Sequence, residues 1–187
     1  MSAEPAIRTT YAEYLVQERT SPIKHEFVDG LVIAMAGGSP EHARLSSSIA
    51  RLLGNAVQGR PCAVFSSDLR VRIAETNRST YPDLTVVCGH RQTASDDRDA
   101  IVNPTILVEV LSDSTEADDR GEKFAHYRRL ASLREYVLVA QKSKRIEVYR
   151  RDEDHWVLTE HGPGSTLELP SIDAHIDVDD VYRDPLA

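Results

Sequence analysis

The chain reads as an α/β protein, a mixed β-sheet flanked by helices and entered through an N-terminal helix and hairpin. Three observations predict this. Helix-like and strand-like patterns alternate, in the order helix, hairpin, helix, three strands, helix, strands. Ile106–Leu111 is apolar except for Glu109, the pattern of a strand covered on both faces. Asp29-Gly30 stands between two apolar runs, a strong hairpin signal.

Taken in order, Thr10-Tyr11-Ala12-Glu13 has capping-box spacing and opens a helix that runs to about Glu18. Residues 24–28 and 31–36 are the hairpin strands, and Gly37-Gly38 ends them. Ser39-Pro40 supplies an N-cap and a first-turn proline. The helix that follows carries His42, Leu45, Ile49, Leu52 and Ala56 at helical spacing, with Gly59 as its stop. Strands are predicted at 62–65, continuing through 68–73, and at 81–88. Residues 89–104 read as a long, polar, mobile loop. After the strand at Ile106–Leu111 and a polar loop at 112–120, a helix is predicted over 120–131, with Phe124, Tyr127 and Leu130 on one stripe. Strands at 135–140 and 146–150 flank a turn at 142–144, and 156–159 adds an edge strand. No internal repeat or low-complexity tract interrupts the pattern.

The 187 residues fit one domain spanning 1–187. No apolar run approaches the ~20 residues needed to cross a bilayer. Met1-Ser2-Ala3-Glu4-Pro5 has neither the basic region nor the apolar core of a signal peptide, so a cytoplasmic location is expected. Cys62 and Cys88 lie in apolar stretches without zinc-site spacing and read as buried thiols in a reducing compartment. The net charge of -8 argues against a general nucleic-acid coat protein. The charge is uneven. Residues 120–151 hold ten Lys or Arg against three Glu, while 152–187 hold ten acids against one Arg. The basic strip, with Arg120, Arg128 and Arg129, could grip a phosphate backbone, or could be a solvated helix and hairpin face.

The chemistry concentrates on two acids. Glu109 sits mid-strand in an apolar run, where an unpaired charge is costly, so it must be paired, neutralised or metal-bound. Asp83, after Tyr81-Pro82, opens the run Leu84-Thr85-Val86-Val87-Cys88. Neighbouring strands could bring both carboxylates to one place, a donor set suited to Mg²⁺. Alone, Asp83 could be a turn residue and Glu109 half of a buried ion pair. Lys123 lies on the helix face shared with Tyr127 and Leu130, where its ammonium could orient a water and offset charge on a phosphate, or simply pair with Glu109 or Asp118. His42 could be a hydrogen-bonded core residue or support the site. Glu26 could be a third acid or a cross-strand ion-pair partner. Gln141 could bond a site water or end its strand. There is no glycine-rich phosphate loop, zincin motif or nucleophile elbow.

Lys24-His25-Glu26-Phe27-Val28-Asp29-Gly30, Glu41-His42, Tyr81-Pro82-Asp83, Glu109-Val110-Leu111-Ser112, Asp119-Arg120-Gly121-Glu122-Lys123-Phe124-Ala125-His126-Tyr127, Glu135-Tyr136-Val137-Leu138-Val139 and Leu167-Glu168-Leu169-Pro170 follow one another in a specific order. That set resembles the Uma-two (Uma2) family of restriction-endonuclease-like proteins, within the PD-(D/E)XK nuclease superfamily, over nearly the whole chain. The resemblance implies a restriction-endonuclease-like core and a Mg²⁺- or Mn²⁺-dependent DNA endonuclease. Asp83 and Glu109 would be the metal-binding pair, joined in catalysis by Lys123, Glu26 and Gln141, with His42 in support. A homodimer would suit cutting of both strands. The superfamily lysine belongs two residues after the acid, where this chain has Leu111, and Lys123 is its natural replacement. Asp113 stands where the family often has proline, and Gln141 where it often has aspartate. The competing class is a catalytically inactive nuclease-fold module that binds DNA or protein; a nuclease of RNA is a further variant. Convergence of Asp83, Glu109 and Lys123 would favour the enzyme.

Overall fold

The computed structural model describes residues 8–113 and 115–186; the leader expectation at residues 1–5 lies outside them. The described elements are α1 (Tyr11–Thr20), β1 (His25–Val28), β2 (Leu31–Ala34), α2 (Pro40–Ala56), β3 (Cys62–Ser66), β4 (Arg70–Ile73), β5 (Arg78–Thr80), β6 (Leu84–Cys88), β7 (Ala100–Ile101), β8 (Ile106–Leu111), α3 (Glu116–Asp118), α4 (Phe124–Tyr127), β9 (Glu135–Ala140), β10 (Ile146–Asp152), β11 (His155–His161), β12 (Thr166–Leu169), β13 (Ala174–Asp177) and α5 (Val178–Tyr182). A π turn, Asp119–Lys123, joins α3 to α4. The architecture is mixed α/β, as the sequence predicts.

A six-stranded sheet in the order β11-β10-β9-β8-β6-β3 forms the centre. β8 and β9 run parallel, connected through α3 and α4; their other neighbours are antiparallel. Along β8, Ile106, Val108 and Val110 face one core with α2, α5 and the β12–β13 hairpin. Leu107 and Leu111 face a second core with α4 and β4 of a five-stranded sheet, β2-β1-β5-β4-β7. Period-two alternation therefore turns Glu109 toward α4 and the five-stranded sheet. β8 pairs Val108 with Leu84, so one further step sets Asp83 opposite Glu109.

Local chemistry explains several boundaries. Thr10 and Glu13 make the reciprocal capping box that starts α1. Ser39 accepts from the His42 amide and caps α2. Asp29 and Gly30 take φ of 43° and 93°, the paired positive values of a tight hairpin turn. The helix expected over 120–131 instead spans Glu116–Tyr127 with its π turn. Past Tyr127 the chain tightens into i to i+3 bonds from Arg129 to His126 and from Leu130 to Tyr127, and the Arg151 guanidinium takes the carbonyls of Arg128, Leu130 and Leu133 beyond the helix.

Three other expectations need correction. The strand predicted through 62–73 breaks at a turn, sending β3 to the central sheet and β4 to the other. The polar stretch 89–104 is tied down, because β7 pairs with β4 and Asp97, 2% exposed, grips Arg70. Cys62 and Cys88 are not thiols. The β3–β6 register sets them directly opposite, with Cα atoms 4.0 Å apart, and they form a disulfide. The reducing compartment inferred from free thiols loses that support. Among the described residues no helix is long and apolar enough to cross a membrane.

The disulfide closes a separation of 26 residues. Replacing both cysteines by alanine is expected to cost about 2–3 kcal/mol, read from urea unfolding. An unchanged midpoint would mean that strand pairing alone fixes this edge.

Candidate active site

The site forms where β6, β8 and the α3–α4 helix meet β1 and β5. The Lys123 ammonium is its centre. It lies 3.0 Å from Asp119 Oδ1, 3.2 Å from Glu109 Oε1 and 3.4 Å from Glu26 Oε1. All four residues are buried. The π turn puts Asp119 and Lys123 on one inward face, one turn before Tyr127. Tyr127 Oη donates to Glu109 Oε1 at 2.9 Å, and Thr80 Oγ1 donates to Glu26 Oε1. The other oxygen of Glu26 faces Arg78 Nη2 at 3.4 Å.

Asp83 stands beside this cluster. Its amide reaches Glu109 Oε2 at 3.4 Å, and its Oδ2 accepts from the Val110 amide at 2.7 Å. His42 Nε2 lies 3.1 Å from the same Oδ2. Gly38 makes room for that ring, since a Cβ there would come within 2.8 Å of His42 Nδ1. Gln141 donates to the Leu111 carbonyl at 2.7 Å and accepts from Ser39 Oγ at 2.7 Å. It thus ties the start of α2 to the ends of β8 and β9.

Electrostatics follow from burial. Burial pushes the Glu109 carboxyl up to about 8, against the Lys123 charge and with help from Asp83, Asp119 and Glu26. Burial also raises Asp119 above its ordinary value despite Lys123. Burial alone would lower Lys123, but Glu109, Glu26 and Asp119 outweigh it and hold the ammonium charged. Burial would raise Glu26 too, yet Lys123, Thr80 and Arg78 hold it below its ordinary value. The hydrogen bond to Asp83 raises His42, opposed by desolvation.

All six of Glu26, His42, Asp83, Glu109, Lys123 and Gln141 line one groove of about 1160 Å³. Arg120, Arg128 and Arg129 do not line it. Arg120 is committed to Glu116 and Glu147, Arg129 pairs with Glu75, and Arg128 is exposed. Sequence reasoning missed Asp119, Thr80 and Arg78. The i, i+4 spacing of Asp119, Lys123 and Tyr127 was the available signal for Asp119.

The fold is that of a solved putative nuclease. A solved structure described as a putative nuclease belonging to DUF820, from Anabaena variabilis, superposes with a TM-score of 0.76 over 92% of this chain and 97% of that one, at 18% identity. The chain belongs to the Uma2 family, whose model, described as "Putative restriction endonuclease", matches residues 11–179. Two uncharacterized proteins of Synechocystis sp. are similar along most of their length. One is 39% identical over 172 residues, covering 91% of this chain and 90% of the relative. The other is 38% identical over 152 residues, covering 81% and 86%.

Proposed function

We propose that this chain acts as a single-domain, divalent-metal-dependent DNA endonuclease, with Asp83 and Glu109 holding Mg²⁺ or Mn²⁺. The observation that carries this reading is the inward-pointing Lys123 ammonium, 3.2 Å from Glu109 and on the sheet face where Leu111 leaves the usual lysine position apolar. A lysine turned to solvent would have favoured a binding module.

The residues suit a hard cation. Asp83 commits Oδ2 to Val110 and His42, and Glu109 commits Oε1 to Lys123 and Tyr127. Asp83 Oδ1 lies outside those bonds, and Glu109 Oε2 meets the Asp83 amide at 3.4 Å. No group of three or more His, Cys, Asp or Glu among the described residues is arranged to cage a metal. Two carboxylates with solvent completing the shell is a usual arrangement for Mg²⁺. When bound, the metal supplies Lewis-acid chemistry at the phosphate and a water nucleophile.

The protein's own groups have separate tasks. His42 and the Val110 amide orient Asp83, as outer partners commonly orient metal ligands. Tyr127 fixes Glu109. Lys123 offers a preorganised positive charge where a phosphodiester gains negative charge in the transition state. Glu26 and Asp119 hold that ammonium in place. Gln141 acts structurally, through Ser39 and the Leu111 carbonyl. The exposed Arg128 and Arg129 lie outside the groove and would serve DNA only beyond it.

Supercoiled plasmid incubated with Mn²⁺ is expected to be nicked, and Glu109→Gln is expected to weaken Mn²⁺ binding by about tenfold or more in calorimetric titration. The variant should stay folded, because Lys123 keeps Glu26 and Asp119 as partners. Undiminished Mn²⁺ binding in a folded Glu109→Gln protein would remove Glu109 from the site.

A further inference from the structure

One buried cation in the groove, Arg78, pairs with Glu26 but has no task toward the substrate in the arrangement above. Arg78 lies on β5, opposite Val28 and two residues before Thr80, on the face that carries Glu26. It is 2% exposed and lines the groove. Its Nη2 meets Asp118 Oδ2 at 3.1 Å and Glu26 Oε2 at 3.4 Å. Its Nε is buried and has no hydrogen-bond partner. A guanidinium is a rigid fork of five donors shaped for oxyanions, and leaving one of its N–H groups buried and unfilled is unfavourable.

The two partners differ. Glu26 is buried and shared with Lys123, so it links the two cations along one wall. The Asp118 side chain is 44% exposed and also lines the groove. It therefore presents a carboxylate to the guanidinium from the side on which a ligand would enter. Carboxylate and phosphate offer the same oxygen geometry to arginine.

We propose that Arg78 is a phosphate-binding residue of the groove, and that a phosphate of the nucleic-acid backbone displaces Asp118 from it. This rests on the nuclease reading. Glu26 then serves as the common anchor of Arg78 and Lys123, and Asp118 is a competitor that the substrate must replace.

The test is a mutant cycle on binding of a fluorescent duplex DNA, read by anisotropy in EDTA so that no turnover intervenes. Asp118→Asn should tighten binding about threefold, and Arg78→Gln should weaken it about tenfold, equivalent to roughly 1.4 kcal/mol. In the Arg78→Gln background, Asp118→Asn should no longer tighten binding, a coupling expected only of groups in contact. Glu122→Gln, at a groove acid outside the Arg78 ion pairs, controls for general charge and should give the same small gain in both backgrounds. Should Arg78→Gln not fold, Asp118→Asn must still tighten binding more than Glu122→Gln does. Equal gains from Asp118→Asn and Glu122→Gln, or an Asp118→Asn gain that survives Arg78→Gln, would overturn the assignment while leaving metal-dependent nicking intact. A wild-type protein that neither binds nor nicks DNA would overturn the nuclease reading itself, and this assignment with it.

Discussion

Lys123→Ala is expected to lower the rate of plasmid nicking by about 100-fold or more, comparable to losing one preorganised donor to a developing oxyanion. Leu111 cannot supply the charge, and Lys123 is the cation that reaches Glu109 directly. The same change should also destabilise the protein. Glu26, Glu109 and Asp119 all lean on this ammonium, and removing one partner of a buried ionic cluster costs about 3–5 kcal/mol. The rate must therefore be measured well below the mutant's melting temperature. Mn²⁺ titration separates the roles, since metal affinity should be kept or slightly raised once a positive neighbour is gone. Wild-type nicking by folded Lys123→Ala would show that the lysine function has not moved to this helix.

That cluster shows how far the sequence could lead. Glu109 was conspicuous because a carboxylate inside an apolar strand has few physical explanations. Asp83 was placed by its proline and by the strand after it. Lys123 followed from helical spacing against Tyr127. Asp119 was hidden, since residues 112–120 read as a polar loop and an acid in a loop needs no partner. Its i, i+4 spacing to Lys123 becomes a signal only once the helix is known to begin before residue 119, and here it begins at Glu116 and passes through the π turn. Glu26 was visible, but its role as a shared anchor for Arg78 and Lys123 depends on how β5 pairs with β1, a register between distant segments.

The fold divides along the same line. The Asp29-Gly30 hairpin, the Ser39 cap and β8 are written in local chemistry. The separation of β3 from β4 into different sheets is not, nor is the Cys62–Cys88 bond, which needs two strands 26 residues apart to align. The C-terminal β12–β13 hairpin and α5 complete the core over α2, yet each strand offers only four residues of alternation.

Residues 89–104 make the sharpest case, and they supply the other large prediction. Asp97→Ala is expected to cost about 3–5 kcal/mol, read from urea unfolding. Asp97 accepts from Arg70 Nε at 2.9 Å and Nη2 at 3.1 Å, and also from Tyr11 Oη at 2.9 Å. Arg70 is itself 8% exposed, so removal of the carboxylate strands a buried guanidinium. Burial would raise the Asp97 carboxyl, but Arg70 and Tyr11 outweigh it and hold it below the usual 3.8. A carboxyl depressed in the folded state stabilises fully above its unfolded value and loses that contribution as pH falls through the folded one. The gap between wild type and mutant should thus be constant near neutrality and narrow only below about pH 4. The effect should also reach the site. Arg70 Nη1 holds Tyr81 Oη at 2.8 Å, and Tyr81 leads through Pro82 to Asp83. Loosening that tether should weaken Mn²⁺ binding even in mutant protein kept fully folded by temperature. An Asp97→Ala protein with unchanged stability and unchanged Mn²⁺ affinity would mean that this stretch is a mobile polar loop, as its composition alone suggests, and that Asp83 is held by its own strand.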